Sequence, residues 1–93
     1  MYRVIVTETA IADVDRLSDW LQAHGASYGL ELGAVLSDAA DSLVDYPERT
    51  PMSRNRRYRE LYVDFHANQY VIQYRVRERN IVIARVRHSL EDR

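Results

Sequence analysis

Three histidines, six serines and thirteen arginines are the side chains of this 93-residue chain best suited to catalysis or to recognition of anions. His24, His66 and His88 are too scattered to match a metal-ligand spacing, and no HExxH or acid-plus-histidine cluster accompanies them, so no metal site is expected. His24 and His66 read as a helix-end and a turn residue. His88 differs: it ends the last strand-like run just after Arg85 and Arg87, and imidazole has a suitable pKa for general acid–base work. A strand-end histidine held by backbone or water is the simpler reading of the same position.

Arg54, Arg56, Arg57 and Arg59 are interleaved with Tyr58 and Tyr62, a pattern that suits phosphates and stacked bases, or equally the anchors of a protein interface. A sequence pI near 6.3 places nucleic-acid contact behind protein contact, because nucleic-acid modules are usually far more basic. Every basic residue is arginine, so planar guanidinium forks are abundant and no lysine is present to act as a tunable base. There is no cysteine, glycine-rich phosphate loop or nucleophile elbow, and none of the serines has the context of a nucleophile. No nucleotide or other cofactor is expected.

The elements that must position these groups are legible in the periodicity. Tyr2–Thr7 alternates as a strand. Thr9 is placed to cap a helix with Ile11, Val14, Leu17 and Leu21 inward and Asp13, Arg16 and Asp19 outward, ending at Gly25. Ser27 is placed to cap a second helix carrying Tyr28, Leu32, Val35, Leu36, Ala39 and Leu43, which Tyr46-Pro47 stops. Residues 47–57, with two prolines and four arginines, read as a mobile basic loop.

Three strand-like runs follow at 58–65, 69–76 and 80–88, with connectors short enough for hairpins. Alternation puts Leu61, Val63 and Phe65, then Tyr70, Ile72, Tyr74 and Val76, then Val82, Ala84 and Val86 on the core side. Tyr58, Glu60, Tyr62, Asp64, Val71, Gln73, Arg75, Ile81, Ile83, Arg85 and Arg87 take the other face. The order β-α-α-β-β-β implies an α+β fold, a helical hairpin on one face of a sheet in which the first strand pairs beside the last. Residues 1–93 form one domain, with no apolar run long enough to span a bilayer and no signal-peptide pattern, which makes a cytoplasmic protein the default. The net charge of −1 conceals two unlike halves. Residues 1–48 carry two arginines against nine acids, a net of −7, and residues 49–93 carry eleven against five, a net of +6.

These features together resemble the RelE/ParE superfamily of type II toxin–antitoxin toxins. The resemblance rests on Tyr58-Arg59-Glu60-Leu61, on Tyr70-Val71-Ile72-Gln73-Tyr74-Arg75-Val76, and on the run from Ile81 to His88, with Ala12, Asp15, Leu17, Leu43 and Pro47 in the first half. Members that cut ribosome-bound messenger RNA carry a basic residue on the strand matching Arg59–Leu61 and an arginine after the first tyrosine of the next strand. They also carry an acid–base group near the C-terminus. Here the central position is Val71, so the resemblance implies an incomplete catalytic set, leaving Arg59, Arg85 and His88 as the residues of a metal-independent endoribonuclease if there is one.

The ParE-like branch, to which the chain is closer, implies a toxin that binds DNA gyrase and blocks replication. It commonly ends H-x-R-x-D; here His88 and Asp92 match, with Leu90 at the arginine position. The resemblance makes Arg57, Arg59, Tyr62, Arg75, Arg85, Arg87 and His88 candidates for target binding. It further implies a cognate ParD-like antitoxin, held in a hetero-oligomer, with Leu17, Trp20, Leu21, Leu32, Val35 and Leu36 as candidates for its contact.

Overall fold

A computed structural model describes residues 1–91; Asp92, used in the C-terminal resemblance, lies outside them. The chain runs β1 (Arg3–Val6), α1 (Glu8–Ala23), a 3-10 segment (Ser27–Glu31), α2 (Leu32–Asp41), a second 3-10 turn (Ser42–Val44), β2 (Arg59–Phe65), β3 (Asn68–Arg77) and β4 (Asn80–His88). The α+β architecture follows the expectation. The sheet order is β1-β4-β3-β2, with β1 parallel to β4 and the other pairs antiparallel. One face of the sheet packs on the helices through Phe65, Tyr70, Ile72, Tyr74, Ile81, Ile83 and Val86, against Ala10, Leu17, Leu21, Leu32, Leu36 and Leu43. No helix among the described residues is long and apolar enough to cross a membrane.

Several local expectations shift. Thr7, not Thr9, caps α1: its hydroxyl oxygen accepts from the Ala10 amide (3.2 Å) while the hydroxyl donates to the Ile83 carbonyl (2.8 Å). The cap therefore also ties the helix start to β4, a role Thr9 cannot fill from two residues further on, inside the helix. The buried stripe of α1 is Ala10, Asp13, Leu17 and Leu21; Ile11 is 51% exposed and Asp13 only 5%. The second helix begins later than expected, because residues 27–31 wind as 3-10 with no side-chain cap from Ser27. Gly29 lies there against α1, where an added Cβ would sit 3.0 Å from Leu21 Cβ and 3.1 Å from the Ser18 carbonyl oxygen.

On β4, Ile81 and Ile83 face the core, the reverse of the expected assignment. A bulge opposite Gln73 and Tyr74 inserts one residue, so Tyr74 pairs with Ile83 but Gln73 with Arg85, and Val86 then returns to the core side. Nor is the segment before β2 a mobile loop. The Tyr74 hydroxyl donates to the Pro47 carbonyl (2.6 Å), so the Thr50 hydroxyl donates in turn to the Tyr74 oxygen (2.6 Å). The Ser53 amide donates to the Tyr58 carbonyl and the Glu60 amide to the Pro51 carbonyl, hydrogen bonds that stitch the segment along the start of β2. Arg49 reaches back to the Ser42 and Asp45 carbonyls, a favourable place for a cation at the end of a helical segment.

Substituting Gly29 with alanine should cost about 1–2 kcal/mol, because backbone as well as side-chain atoms would have to yield. Urea unfolding of Gly29→Ala beside Gly33→Ala, whose added Cβ meets only Val14 at 3.9 Å, checks this.

Candidate functional site

The arginines divide by what they touch. Arg85 leaves β4 at the bulge and forms a two-pronged pair with Asp13 of α1, Nε to Oδ2 at 2.8 Å and Nη2 to Oδ1 at 3.1 Å. The Val86 amide, which no strand pairs at this point, donates to the same Oδ2 at 2.9 Å. Burial alone would raise the Asp13 carboxyl, but the hydrogen bonds from Arg85 and Val86 outweigh it and hold the group below the ordinary carboxylate range. Asp13, expected on the solvent face, is thus the partner that occupies Arg85. Its spacing in an otherwise outward-facing acidic set gave no sign of this.

Arg59 is similarly engaged, donating to the Thr50 carbonyl (2.6 Å) and the Glu48 carbonyl (3.0 Å), with the Glu48 carboxylate at 3.7 Å. His88 lies beside Tyr70 on the helix side of the sheet, their ring centroids 5.3 Å apart. The Leu90 amide donates to its Nδ1 (3.1 Å), which leaves Nε2 as the protonated nitrogen facing Asn68 Oδ1 (3.1 Å). The turn after His88 is further fixed by Glu91, which receives Arg16 at 3.0 Å and the His88 amide at 3.4 Å. Arg59 faces Tyr74 and His88 faces Tyr70 in register, on opposite sides of β3. They are therefore separated by roughly 13 Å along the strands and 10 Å across them. Arg59, Arg85 and His88 do not converge on one reacting atom, as acid–base chemistry within hydrogen-bond reach requires.

The open face is less exposed than alternation implies. Val71, Gln73 and Glu60 are buried, and Gln73 Nε2 donates to Glu60 Oε2 (2.8 Å) while the Tyr62 hydroxyl donates to Oε1 (3.1 Å). Glu60 and Gln73 floor a hollow of about 580 Å³ that Ser53, Arg54, Asn55, Leu90 and Glu91 also line. Arg87 faces Val71 across the ladder. Arg75 lies 4.6 Å over the Tyr58 ring and its Nε donates to the Arg57 carbonyl. Tyr62, Arg57, Arg75 and Arg87 thus belong to the open face or its rim, whereas Arg85 and His88 are engaged with the helix side.

Of the residues expected to meet an antitoxin, Leu17, Leu21, Leu32 and Leu36 are at most 5% exposed in the chain's own core. Val35 is half-buried, and Trp20 stands out on α1, stacked on His24 at 4.0 Å. Among the described residues, two apolar clefts stand out. One, of about 300 Å³, runs between β1 and the helices over Val4, Val6, Ile11, Val14 and Leu36, with Asp15 and Asp41 at its rim. The other, of about 850 Å³, lies between Trp20, Tyr70, His88 and Leu90. Val4, Val6 and Ile11 are not among the residues expected to meet a partner, Ile11 being expected in the core, although the apolar residues left over on β1 are a signal that its sides are not all covered. Among the described residues, no group of three or more His, Asp or Glu side chains gathers as metal ligands.

Comparison with known proteins adds the wider context. The family model described as "ParE toxin of type II toxin-antitoxin system, parDE" matches residues 4–93. "Toxin RelE3" of Caulobacter vibrioides is 37% identical over 81 residues, covering 87% of each chain. "Toxin RelE1" of the same organism is 34% identical over 92 residues, 99% of this chain and 98% of that one. Among solved structures, "Chromosomal ParDE TA system from P. aeruginosa" superposes with a TM-score of 0.77 over 95% of this chain and 96% of that one, at 20% identity. That last likeness is one of fold.

If Asp13 closes the bulge, Asp13→Ala should cost about 2–3 kcal/mol at neutral pH, since it leaves Arg85 and the Val86 amide without their acceptor. Because the folded carboxyl titrates below its unfolded value of about 3.9, its contribution is complete above that pH and disappears as pH falls through the lowered folded value. The stability gap between wild type and Asp13→Asn, read from urea melts, should therefore shrink below about pH 4; a gap unchanged at low pH would show that the carboxylate charge is not its source.

Proposed function

Because the chain belongs to the ParE toxin family of type II toxin–antitoxin systems, we propose that it is a binding toxin, directed at DNA gyrase and neutralised by a cognate antitoxin of the ParD kind. The observation that carries this reading is the engagement of every acid–base candidate elsewhere. Arg85 is committed to Asp13, Arg59 to the carbonyls before β2, and both nitrogens of His88 to neighbours. Position 71, where the ribonuclease branch has its arginine, is a fully buried valine. Phosphodiester cleavage requires a group to take a proton, another to give one and a charge to stabilise the phosphorane, acting together. A toxin that works by occupying its target needs only a surface, and Arg57, Tyr62, Arg75 and Arg87 supply one.

The clefts support a place for the antitoxin. The groove between β1 and the helices has an apolar floor and acidic rim, so it suits a segment with apolar anchors and basic flanks that orders as it binds. A second reading, a ribosome-dependent endoribonuclease using His88 with Arg59 or Arg85, is kept by the RelE names of the Caulobacter relatives.

Purified chain added to gyrase should suppress supercoiling, and single alanine substitutions at Arg57, Arg75 and Arg87 should each weaken that effect in graded fashion. Unaffected supercoiling together with transcripts cut at defined codons, and an abrupt loss of toxicity on His88→Ala, would instead establish the ribonuclease. For the groove, Ile11→Asp should reduce antitoxin affinity at least tenfold, about 1.4 kcal/mol, in titration calorimetry while toxicity persists; undiminished affinity would move the antitoxin elsewhere.

A further inference from the structure

The folded chain gathers one end of the sheet into a cationic surface that its net charge hides. That end comprises the start of β1, the β3–β4 turn, the start of β2 and the segment before it. A hollow of about 550 Å³ opens there between Arg57, Arg59, Arg75 and Arg77, floored in part by Met52 and Tyr74. Glu48 also lines it and already faces Arg59. Among the described residues, neither Arg57, Arg75, Arg77 nor Arg79 has a carboxylate partner. The row continues on both sides. The Arg3 amide is bonded to the Arg79 carbonyl at 2.8 Å, and Arg54 and Arg56 stand exposed in the segment leading to Arg57.

Holding so many guanidinium groups together costs repulsion that nearby acids would relieve, yet the acids of residues 1–48 lie mainly on the helices, and those near this end, Asp45, Glu48, Glu60 and Glu78, are outnumbered by the arginines, with Glu60 buried and accepting from Gln73 and Tyr62. Two of the arginines are also pre-ordered. Arg75 sits over the Tyr58 ring at 4.6 Å with its Nε donating to the Arg57 carbonyl, and Arg79 sits over the Tyr2 ring at 5.8 Å, contacts that limit the freedom of both guanidinium groups.

We propose that this arginine-lined hollow and its flanking row bind the phosphodiester backbone of a nucleic acid. Guanidinium forks match phosphate oxygens two at a time. The row crosses four strands, on the order of 15 Å, so successive phosphates of a single strand can each meet a cation. An acidic protein surface would have to present an equally unbroken line of carboxylates, which folded surfaces with interspersed charges seldom do. The whole-chain pI, which had ranked nucleic acid second, averages in an acidic hairpin that belongs to a different surface; at physiological salt a fixed charge is felt over only about 8 Å. The site is separate from the groove proposed for the antitoxin but shares Arg57 and Arg75 with the proposed target-binding surface; nucleic-acid binding is read with no gyrase present, so it stands or falls independently of the identity of the target.

The test is fluorescence anisotropy with a labelled DNA duplex of about 20 base pairs and a single-stranded RNA of about 20 nucleotides, between about 50 and 200 mM salt, with polyglutamate as competitor. Binding of either probe is expected, weakening with salt. Arg57→Gln/Arg77→Gln should lower affinity about tenfold and reduce the log–log salt slope by about one to two, while Arg16→Gln, whose side chain is paired with Glu91 on the helix side, leaves both nearly unchanged. Arg57 and Arg77 are exposed, so an unaltered melting temperature verifies that the double variant is folded. No binding by the wild type, wild-type affinity in the double variant, or displacement by polyglutamate as effective as by unlabelled nucleic acid would each overturn the assignment, the last in favour of an acidic protein.

Discussion

One carboxylate closes the structure where the sheet would otherwise fall open. β1 pairs with β4 only as far as Ile83, leaving the second half of β4 with an unpaired edge just where the bulge displaces its backbone. Asp13 takes the Val86 amide and Arg85 together, while Thr7, six residues earlier, satisfies the carbonyls of Ile83 and Ala84. Buried backbone groups have to find partners, and here two side chains of one helix and its cap do the work of a missing strand. The arrangement fixes the tilt of α1 against the sheet. It thereby sets the width of the groove beside β1 and removes Arg85 from the groups able to meet a ligand.

What the amino-acid order revealed depended on whether a single physical pattern acted alone. β2 and β3 were legible because their apolar alternation is unbroken and each residue pairs with one opposite. β4 was misassigned because one inserted residue reverses the phase, and alternation carries no mark of an insertion. Asp13 was misplaced for a related reason: an acid buried for two hydrogen bonds looks the same, in sequence, as an acid hydrated on the surface. The prolines and arginines of the segment before β2 point to a mobile loop, whereas it is tied down by the Tyr74 hydroxyl, 24 residues from Thr50. The helix termini erred by a residue or more because several Ser and Thr side chains were equally eligible as caps.

The candidate site shows the same limit. Residue types announced an arginine-rich surface, but not which arginines were free to act. Arg16, Arg49, Arg59 and Arg85 serve the fold, holding carboxylates or carbonyls. Arg57, Arg75, Arg77 and Arg79 are left to the surface, and it is topology rather than spacing that brings them together. The even charge balance of the chain therefore describes no part of its surface: helices and sheet end are oppositely charged regions joined by a core.

The parallel pairing of β1 with β4 bears on when the molecule comes into being during synthesis. Thr7 meets Ile83 across 76 residues, so the first strand has no partner until the last one has left the ribosome. Helix α1 can form earlier, but it can dock only when the backbone of β4 is present to receive it. Contacts of such long sequence separation pay their closure entropy late. The groove beside β1 is assembled from the earliest and latest segments made, so it does not exist on a partly synthesised chain. A partner that recognises this shape encounters it only after translation has passed β4.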